Sequence, residues 1–252
     1  MSIYECLWHI DFPEEINLIE SKYMIFLIKL AERTLGKYYR KILDLACGTG
    51  RHHKYLREEG FEVYGVDLNK ELIELAKKRN KDFEEYYEVK DVRSIEYIEN
   101  FDVVINWYTS FGYFSDEENR LVLRRIFRAL KPKGILILDF PTVWREGVQA
   151  VEHNNYVEIN KSTKIDRYTF DFYSKLFEKR GNILELVGEL RIKLTVYPPE
   201  VLKNMLESVG FKVLYVFANR GIHLVRNFEL TSIIRREIRR LVWVVYKAKS
   251  FS

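Results

Sequence analysis

The sequence is poor in cysteine, and neither Cys6 nor Cys47 has histidine or cysteine neighbours at metal-ligand spacing. A disulfide scaffold is therefore excluded, no metal site is expected, and a reducing cytoplasm is the simplest compartment. Glutamine is nearly absent, since Gln149 stands alone, whereas lysine, arginine, glutamate and tyrosine are abundant. This balance indicates a protein from a thermophile.

Long hydrophobic runs are also missing. The longest apolar stretches, such as Leu241 to Tyr246, are far shorter than a membrane span, and no early segment resembles a signal peptide. We therefore expect no membrane partner. The net charge of +4 is too small to indicate nucleic acid by itself. Basic residues do outnumber acidic ones from Arg220 onward, which indicates either a phosphate-facing patch or, as we favour, a solvated helix face.

The rest of the composition fits one large core with an insertion, because 47% of the 252 residues are hydrophobic and 31% are charged. Apolar residues recur at three- and four-residue steps from Glu14 to Leu35, which predicts an amphipathic helix. Short β-type segments then alternate with helical ones, as in a parallel sheet covered by helices on both faces. The predicted strands are 42–46, 62–66, 86–90, 101–106 and 135–140, and the predicted helices are 52–59, 70–80 and 116–130.

The pattern changes after Phe140. Residues 151–196 have no helical period and predict strands at 156–160, 164–173 and 184–196, which we interpret as an antiparallel insertion. The core is assigned to 1–150 and 197–252. There, Pro199 and Gly210 mark the two ends of a further helix, and two more strands are predicted at 211–218 and 241–247, for seven core strands in all.

Three strand ends carry residues suited to one ligand. The segment Ile42–Gly50 is an apolar strand followed by a loop of small residues and a helix, and Gly48 and Gly50 let the backbone approach a ligand closely. Asp67 closes the next strand, where a carboxylate can accept hydrogen bonds from both hydroxyls of a ribose. Asp91 follows the third strand, in reach of an adenine edge. Asp44, Asp67 and Asp91 could instead simply cap their strands, but all three coincide with one edge of the predicted sheet.

Segments 43–50, 65–68 and 129–134 resemble successive motifs of the class I S-adenosylmethionine (SAM) dependent methyltransferases. The stretch 101–114 resembles the small-molecule branch that includes glycine/sarcosine and amino-sugar N-methyltransferases. The resemblance implies an α/β fold: a seven-stranded, mostly parallel Rossmann-like sheet with the last strand antiparallel, helices on both faces and a small antiparallel β insertion after strand 5. Ala46 departs from the usual glycine, and the long link 219–240 departs from a usually short turn.

The same resemblance implies roles for individual residues. The cofactor would be SAM, with S-adenosylhomocysteine as product, and the insertion would cap the substrate. Asp44 would hold the methionine end together with Ala46, Gly48 and Gly50, and Asp67 would hold the ribose. Leu68 would contact the adenine face, and Asp91 and Val92 the adenine edge. Asn106 and Trp107 would lie nearest the sulfonium.

Residues that contact the acceptor are less well specified, because methyl transfer depends mainly on alignment and water exclusion. The candidates for a catalytic role are Asp139, Tyr168 and His153, with helix packing or solvent contact the favoured reading for His52 and His53. Five aromatic residues could form a chamber attractive to a cationic amine, or could simply pack in the core: Tyr113, Phe140, Tyr168, Phe170 and Tyr173. Tyr4 and Trp8 precede the first helix, in a region that folds over the cofactor in related enzymes.

The function predicted is methyl transfer to a nitrogen or oxygen of a small molecule, by a monomer or homodimer. An NAD-dependent oxidoreductase would want a third glycine where the chain has His53. An RNA methyltransferase would use the basic end but lacks the usual motif after strand 4, so a nucleic-acid partner is disfavoured. A protein methyltransferase and a non-catalytic SAM-binding subunit remain alternatives.

Overall fold

The computed structural model describes residues 13–108, 110–153, 155–218, 223–224 and 239–248. Tyr4, Trp8 and most of the link 219–240 lie outside this part of the chain, as does the side chain of His153. Within the described residues, none of the helices combines the length and apolar character needed to cross a membrane.

Five α-helices, two 3-10 helices (Lys81–Tyr86 and Val92–Ser94) and twelve strands make up the described part of the chain. The helices are α1 (Glu14–Leu35), α2 (His53–Glu58), α3 (Lys70–Arg79), α4 (Asp116–Ala129) and α5 (Pro199–Val209). The strands in the first half are β1 (Lys41–Leu45), β2 (Glu62–Asp67), β3 (Tyr87–Val89), β4 (Phe101–Asn106), β5 (Leu130–Pro141) and β6 (Gly147–His153). The later strands are β7 (Tyr156–Lys164), β8 (Thr169–Arg180), β9 (Ile183–Thr195), β10 (Phe211–Ala218), β11 (His223–Leu224) and β12 (Arg240–Lys247).

The main sheet has the order β11-β10-β12-β5-β4-β1-β2-β3. The pairs from β5 to β3 are parallel, whereas β12 runs antiparallel to both β5 and β10. The predicted Rossmann-like sheet is therefore confirmed, and β11 adds a two-residue strand at its edge. The carboxyl ends of β1, β2, β4 and β5 meet along one side, which we call the ligand edge.

Side chains alternate between the two faces of this sheet. Leu43 and Val104 pack in one apolar cluster with α4 and α5. Their neighbours Ile42 and Val103 pack in a second cluster with Met24 of α1. Both faces are thus covered by helices, and this double burial explains why the central strands are apolar at almost every position.

Helix ends follow local capping signals. Ser115 and Glu118 form a capping box at the start of α4, and Pro199 occupies the first turn of α5. Gly36 and Gly210 end α1 and α5 with φ angles of 61° and 109°. These left-handed conformations favour glycine, so the observed ends agree with the predicted ones.

The second sheet has the order β6-β7-β8-β9 and is antiparallel throughout. It begins at Gly147 rather than at the expected residue 151, and its first strand, β6, was not predicted from the sequence. The predicted strand 164–173 was wrong in part, since it runs through a turn. There, Asp166 accepts hydrogen bonds from the amides of Tyr168 and Thr169, at 2.9 and 2.8 Å. Gly181, with a φ angle of 61°, lies in the turn that joins β8 to β9.

Candidate active site

The loop after β1 takes a backbone path that few side chains allow. Ala46, Gly48 and Gly50 have φ angles of 58°, 55° and 62°. A Cβ at Gly50 would lie 2.8 Å from the Tyr87 hydroxyl, whereas one at Gly48 would meet nothing within 4 Å. The departure at Ala46 is therefore a strained alanine in a left-handed conformation. Gly48 leaves open space beside the backbone, as a close ligand approach requires.

Asp67 lies opposite this loop at the end of β2. Its carboxylate accepts hydrogen bonds from the Gly48 amide at 3.0 Å and from the Asn69 amide at 2.9 Å. Burial raises the pKa of Asp67, because these two amides compensate only part of the lost hydration. Next to it, Leu68 is 64% exposed, which leaves an apolar side chain at the ligand edge.

A buried hydrogen-bonded chain supports the loop from below. The His53 Nε2 atom lies 2.9 Å from Asp44 Oδ2, and the Tyr87 hydroxyl lies 2.7 Å from His53 Nδ1. Burial lowers the pKa of His53, so the neutral ring donates to Asp44 and accepts from Tyr87. This positioning role of His53 was missed in the sequence, although a histidine in the first turn after the glycine loop was the available signal.

The neighbouring residues tie the loop to the first helix. Arg51 donates to the Asn17 side chain at 2.7 Å and pairs with Glu20 of α1. His52 Nε2 lies 2.9 Å from the Glu20 carboxylate, and both side chains are buried. His52 therefore packs between helix and loop, as we had favoured from the sequence, and α1 holds the loop in place.

Asp91 has a partner that the sequence did not suggest. Arg93 donates to both carboxylate oxygens, at 2.7 to 3.1 Å, and the Arg93 amide donates as well. These hydrogen bonds hold the pKa of Asp91 below its usual range. The Val92 side chain packs against the core, so only its backbone is suited to an adenine edge. An adenine amino group would share Asp91 with Arg93.

At the end of β4, Asn106 and Trp107 point in different directions. Asn106 donates to the Leu45 carbonyl at 3.1 Å, while its Oδ1 is buried without a donor among the described residues. Trp107 is 4% exposed and packs edge-on against Tyr23 of α1, so its side chain belongs to the core. Asn106 is equally buried, at 3% exposed, but its Oδ1 makes it the member of this pair suited to a hydrogen bond with a ligand.

Asp139 is fully buried and engaged on both oxygens. Arg240 forms two hydrogen bonds with its carboxylate, at 2.8 and 2.9 Å, and the Tyr108 amide donates to it at 3.1 Å. The carboxylate is engaged by groups of this chain, and its contact with the Tyr108 amide orders the loop after β4. The solvated-face interpretation of the basic end is wrong for Arg240, which lies in β12 and pairs with the core.

The structure separates the remaining candidates. Tyr168 and Phe170 line a cavity of about 330 Å³. Phe170 also forms an apolar cluster with Leu194 and Val196, and Tyr113 packs against this cluster. Phe140 is buried in the main core, and Tyr173 bonds Glu189 on the other face of the second sheet. His153 is the last residue of β6. It lies six residues along this strand from Gly147, which is at the end of the strand that is joined to the core. The second sheet therefore brings Tyr168, and not His153, to the core.

A larger cavity, of about 540 Å³, lies beyond the end of β5. It is lined by the segment that connects β5 to β6, by Arg239 and by one face of the second sheet. Its walls are Val143, Trp144, Arg145, Glu146, Gly147, Gln149, Asn160, Ser162, Phe172 and Arg239. Among the residues that the structure describes, no cluster of histidine, cysteine and carboxylate side chains is suited to a metal ion.

Known proteins share both the sequence and the fold. A family model described as a methyltransferase domain matches residues 42–134. Over 189 residues the chain is 36% identical to YqeM of Bacillus subtilis (strain 168), which carries the name of a methyltransferase; 71% of this chain and 76% of that protein are covered. The chain belongs to the SAM-dependent methyltransferases.

Two solved structures show the same fold as this methyltransferase. One is a SAM-dependent methyltransferase from Clostridium acetobutylicum ATCC 824, with a TM-score of 0.77, 18% identity and coverage of 98% of this chain and 97% of that one. The other is SAM-bound CalS10, an amino pentose methyltransferase from Micromonospora echinaspora, with a TM-score of 0.71, 18% identity and the same coverage.

The residues at the ligand edge fit SAM, the cofactor of this enzyme. The partly compensated carboxylate of Asp67 suits ribose hydroxyls, exposed Leu68 suits an apolar adenine face, and the open side of Gly48 suits a closely packed ligand. The orphaned Oδ1 of Asn106 offers a further acceptor. SAM supplies an activated methyl group, and the protein supplies its alignment.

Replacing Asp67 by Ala should weaken SAM about ten- to a hundredfold, because charge-assisted hydrogen bonds to the ribose are lost. In the unaltered enzyme, SAM affinity should fall as the pH drops through the raised pKa of Asp67, since the protonated form is a weaker acceptor. Calorimetric titration over a pH series measures both. Asp67→Asn, which cannot titrate, should lose this pH dependence. If its profile matched that of the unaltered protein, another group would be responsible.

Proposed function

We propose that this methyltransferase transfers the methyl group to a nitrogen or oxygen of a small molecule held between the ligand edge and the second sheet. The carrying observation is the cavity of about 540 Å³ beyond β5, which has the size of a small-molecule site. The amino pentose methyltransferase CalS10 has the same fold over nearly all of both chains, which supports a small acceptor.

The order of strands in the main sheet supports the same division of labour. The cofactor candidates Asp44, Asp67 and Asn106 lie on β1, β2 and β4, whereas the cavity lies beyond β5 and β12. Cofactor and acceptor would therefore approach each other over the end of β4. In this arrangement the second sheet serves as a lid that excludes water. It corresponds to the insertion that we expected at 151–196.

Asp139 acts in this proposal as a positioning residue. Its contact with the Tyr108 amide orders the backbone next to Asn106, where the acceptor atom must be aligned with the methyl group. Tyr168 remains the candidate for contact with the acceptor, since the cavity of about 330 Å³ that it lines shares Val143 and Trp144 with the larger one. Since few catalytic groups are needed for an in-line displacement, the contribution of the protein is mainly alignment.

Incubation of the enzyme with SAM labelled in its methyl group and a cell extract tests the proposed function. We expect the label in the small-molecule fraction, and none in it when Asp67→Ala replaces the unaltered enzyme at low SAM concentration. Label in RNA or protein would contradict the proposal. SAM binding with no labelled fraction would identify a non-catalytic subunit. A cytoplasmic location and a monomeric or homodimeric state remain predictions.

A further inference from the structure

The large cavity has a floor and a rim of different chemistry. Its floor consists of two aromatic side chains, Trp144 and Phe172, and two neutral polar ones, Asn160 and Ser162. Ser162 is buried and the other three are half-buried. The charged residues lie at the rim, where Arg145, Glu146 and Arg239 are exposed. The floor therefore suits an uncharged group.

Strand register holds this floor in place. Asn160 and Ser162 of β7 pair with Ser174 and Phe172 of β8, and alternate residues of a strand share one face. Trp144 donates from its ring nitrogen to the Ser162 hydroxyl at 2.8 Å. It also packs edge-on against Phe172, with ring centroids 5.7 Å apart. The aromatic wall is thus fixed by packing and by a hydrogen bond before any ligand binds.

Asn160 leaves one acceptor unused. Its Oδ1 is buried and has no donor among the described residues. An unsatisfied buried carbonyl oxygen is costly, so a ligand that brings an N–H or O–H group to it recovers a lost hydrogen bond. A ligand of the same shape without a donor leaves the oxygen unsatisfied and binds less well.

The cavity lies on the acceptor side of the proposed active site. Arg239 of its rim accepts a hydrogen bond from the Thr142 amide through its carbonyl, at 3.0 Å, where the chain leaves β5. The next residue, Arg240, holds Asp139. A group in the cavity is therefore connected to the loop at the end of β4 through residues that touch one another.

We infer that this cavity binds the non-reacting part of the methyl acceptor, an uncharged group with an apolar face for Trp144 and Phe172 and an N–H or O–H donor for Asn160. This inference rests on the proposed function, because it names the chemistry of the same acceptor. The four floor residues then determine which small molecules are methylated, while the ligand edge determines only that SAM is the donor.

Three fragments of nearly equal shape test the inference. Benzamide has N–H donors, methyl benzoate has none, and benzoate has none and is charged. Their dissociation constants are measured by saturation-transfer NMR on the full chain with S-adenosylhomocysteine present. We expect benzamide to bind about tenfold more tightly than the other two. Asn160→Leu should remove the preference over methyl benzoate and leave the binding of methyl benzoate unchanged, whereas benzoate should still bind less well because it is charged.

Asn155→Leu is the matched control, since Asn155 is exposed in the turn between β6 and β7. It should keep the preference for benzamide. Trp144→Leu should weaken all three fragments, because each uses the aromatic wall. Equal binding of benzamide and methyl benzoate, no binding, or a preference over methyl benzoate that survives in Asn160→Leu would overturn the inference. None of these outcomes affects the labelling experiment, so failure here is distinguishable from failure of the proposed function.

Discussion

Replacing the second sheet, Gly147–Thr195, by a Gly/Ser linker should lower methyl transfer by more than about a hundredfold while SAM affinity stays within a few-fold. The physical reason is the separation of contacts. The residues assigned to SAM lie at or just after the ends of β1, β2, β3 and β4, whereas the cavity wall includes residues of β6, β7 and β8 of the second sheet. Without that wall the acceptor is neither aligned nor shielded from water.

The linker length follows from the sheet geometry. The strands β6 and β9 are the two edges of a four-stranded sheet, so their core-proximal ends are three strand spacings, or roughly 15 Å, apart. About eight flexible residues cover this distance. Turnover is measured with labelled SAM and SAM affinity by calorimetry, which also reports whether the core has folded.

A point variant serves as the control for this deletion. Ile183 begins β9 at the end away from the core and is 69% exposed. Ile183→Ser should therefore leave both turnover and SAM affinity unchanged. Normal turnover by the shortened protein would show that the acceptor enters from another side, and the lid role would be wrong.

Replacing Arg240 by Leu should destabilise the fold by about 3–5 kcal/mol, because it leaves the Asp139 carboxylate buried without its countercharge. Asp139 has no exposed surface, and the substitution removes both hydrogen bonds from Arg240 while the one from the Tyr108 amide stays. Urea unfolding followed by circular dichroism measures the change in the free energy of unfolding. Turnover should fall as well, because the loop after β4 loses its anchor.

The double variant Asp139→Leu with Arg240→Leu separates charge from packing. Removing both partners avoids an isolated buried charge, so it should recover a large part of the lost stability. Turnover should remain low in this variant, since the Tyr108 amide is no longer held. A double variant as unstable as Arg240→Leu alone would show that the ion pair itself, and not the uncompensated charge, supports the fold.

The sequence by itself determined the order and type of most elements. The boundaries of α1, β4 and β10 agree with prediction because the apolar periodicity of a helix and the apolar runs of buried strands are local signals. The ligand edge, where we propose that SAM binds, was also predictable. It depends on a glycine loop and on acids at the ends of consecutive parallel strands, and such strands end on the same side.

Local signals were insufficient where a turn uses a side-chain hydrogen bond. The turn at Asp166 is made by a carboxylate that accepts two amides, and the surrounding residues are as polar as the strands beside them. The sequence therefore offered no change of pattern there. The strand β6 was missed for a related reason, since it is exposed at most positions and has no alternation of apolar and polar residues.

Only the tertiary structure decided the partners of the polar site residues. Asp139 and Arg240 are 101 positions apart and meet because β12 lies beside β5 in the sheet. The Asp44–His53–Tyr87 chain likewise depends on β1, α2 and β3 packing around one loop. Sequence motifs specify which side chains reach the ligand edge, whereas the ion pairs and hydrogen bonds that hold those side chains depend on contacts between distant segments.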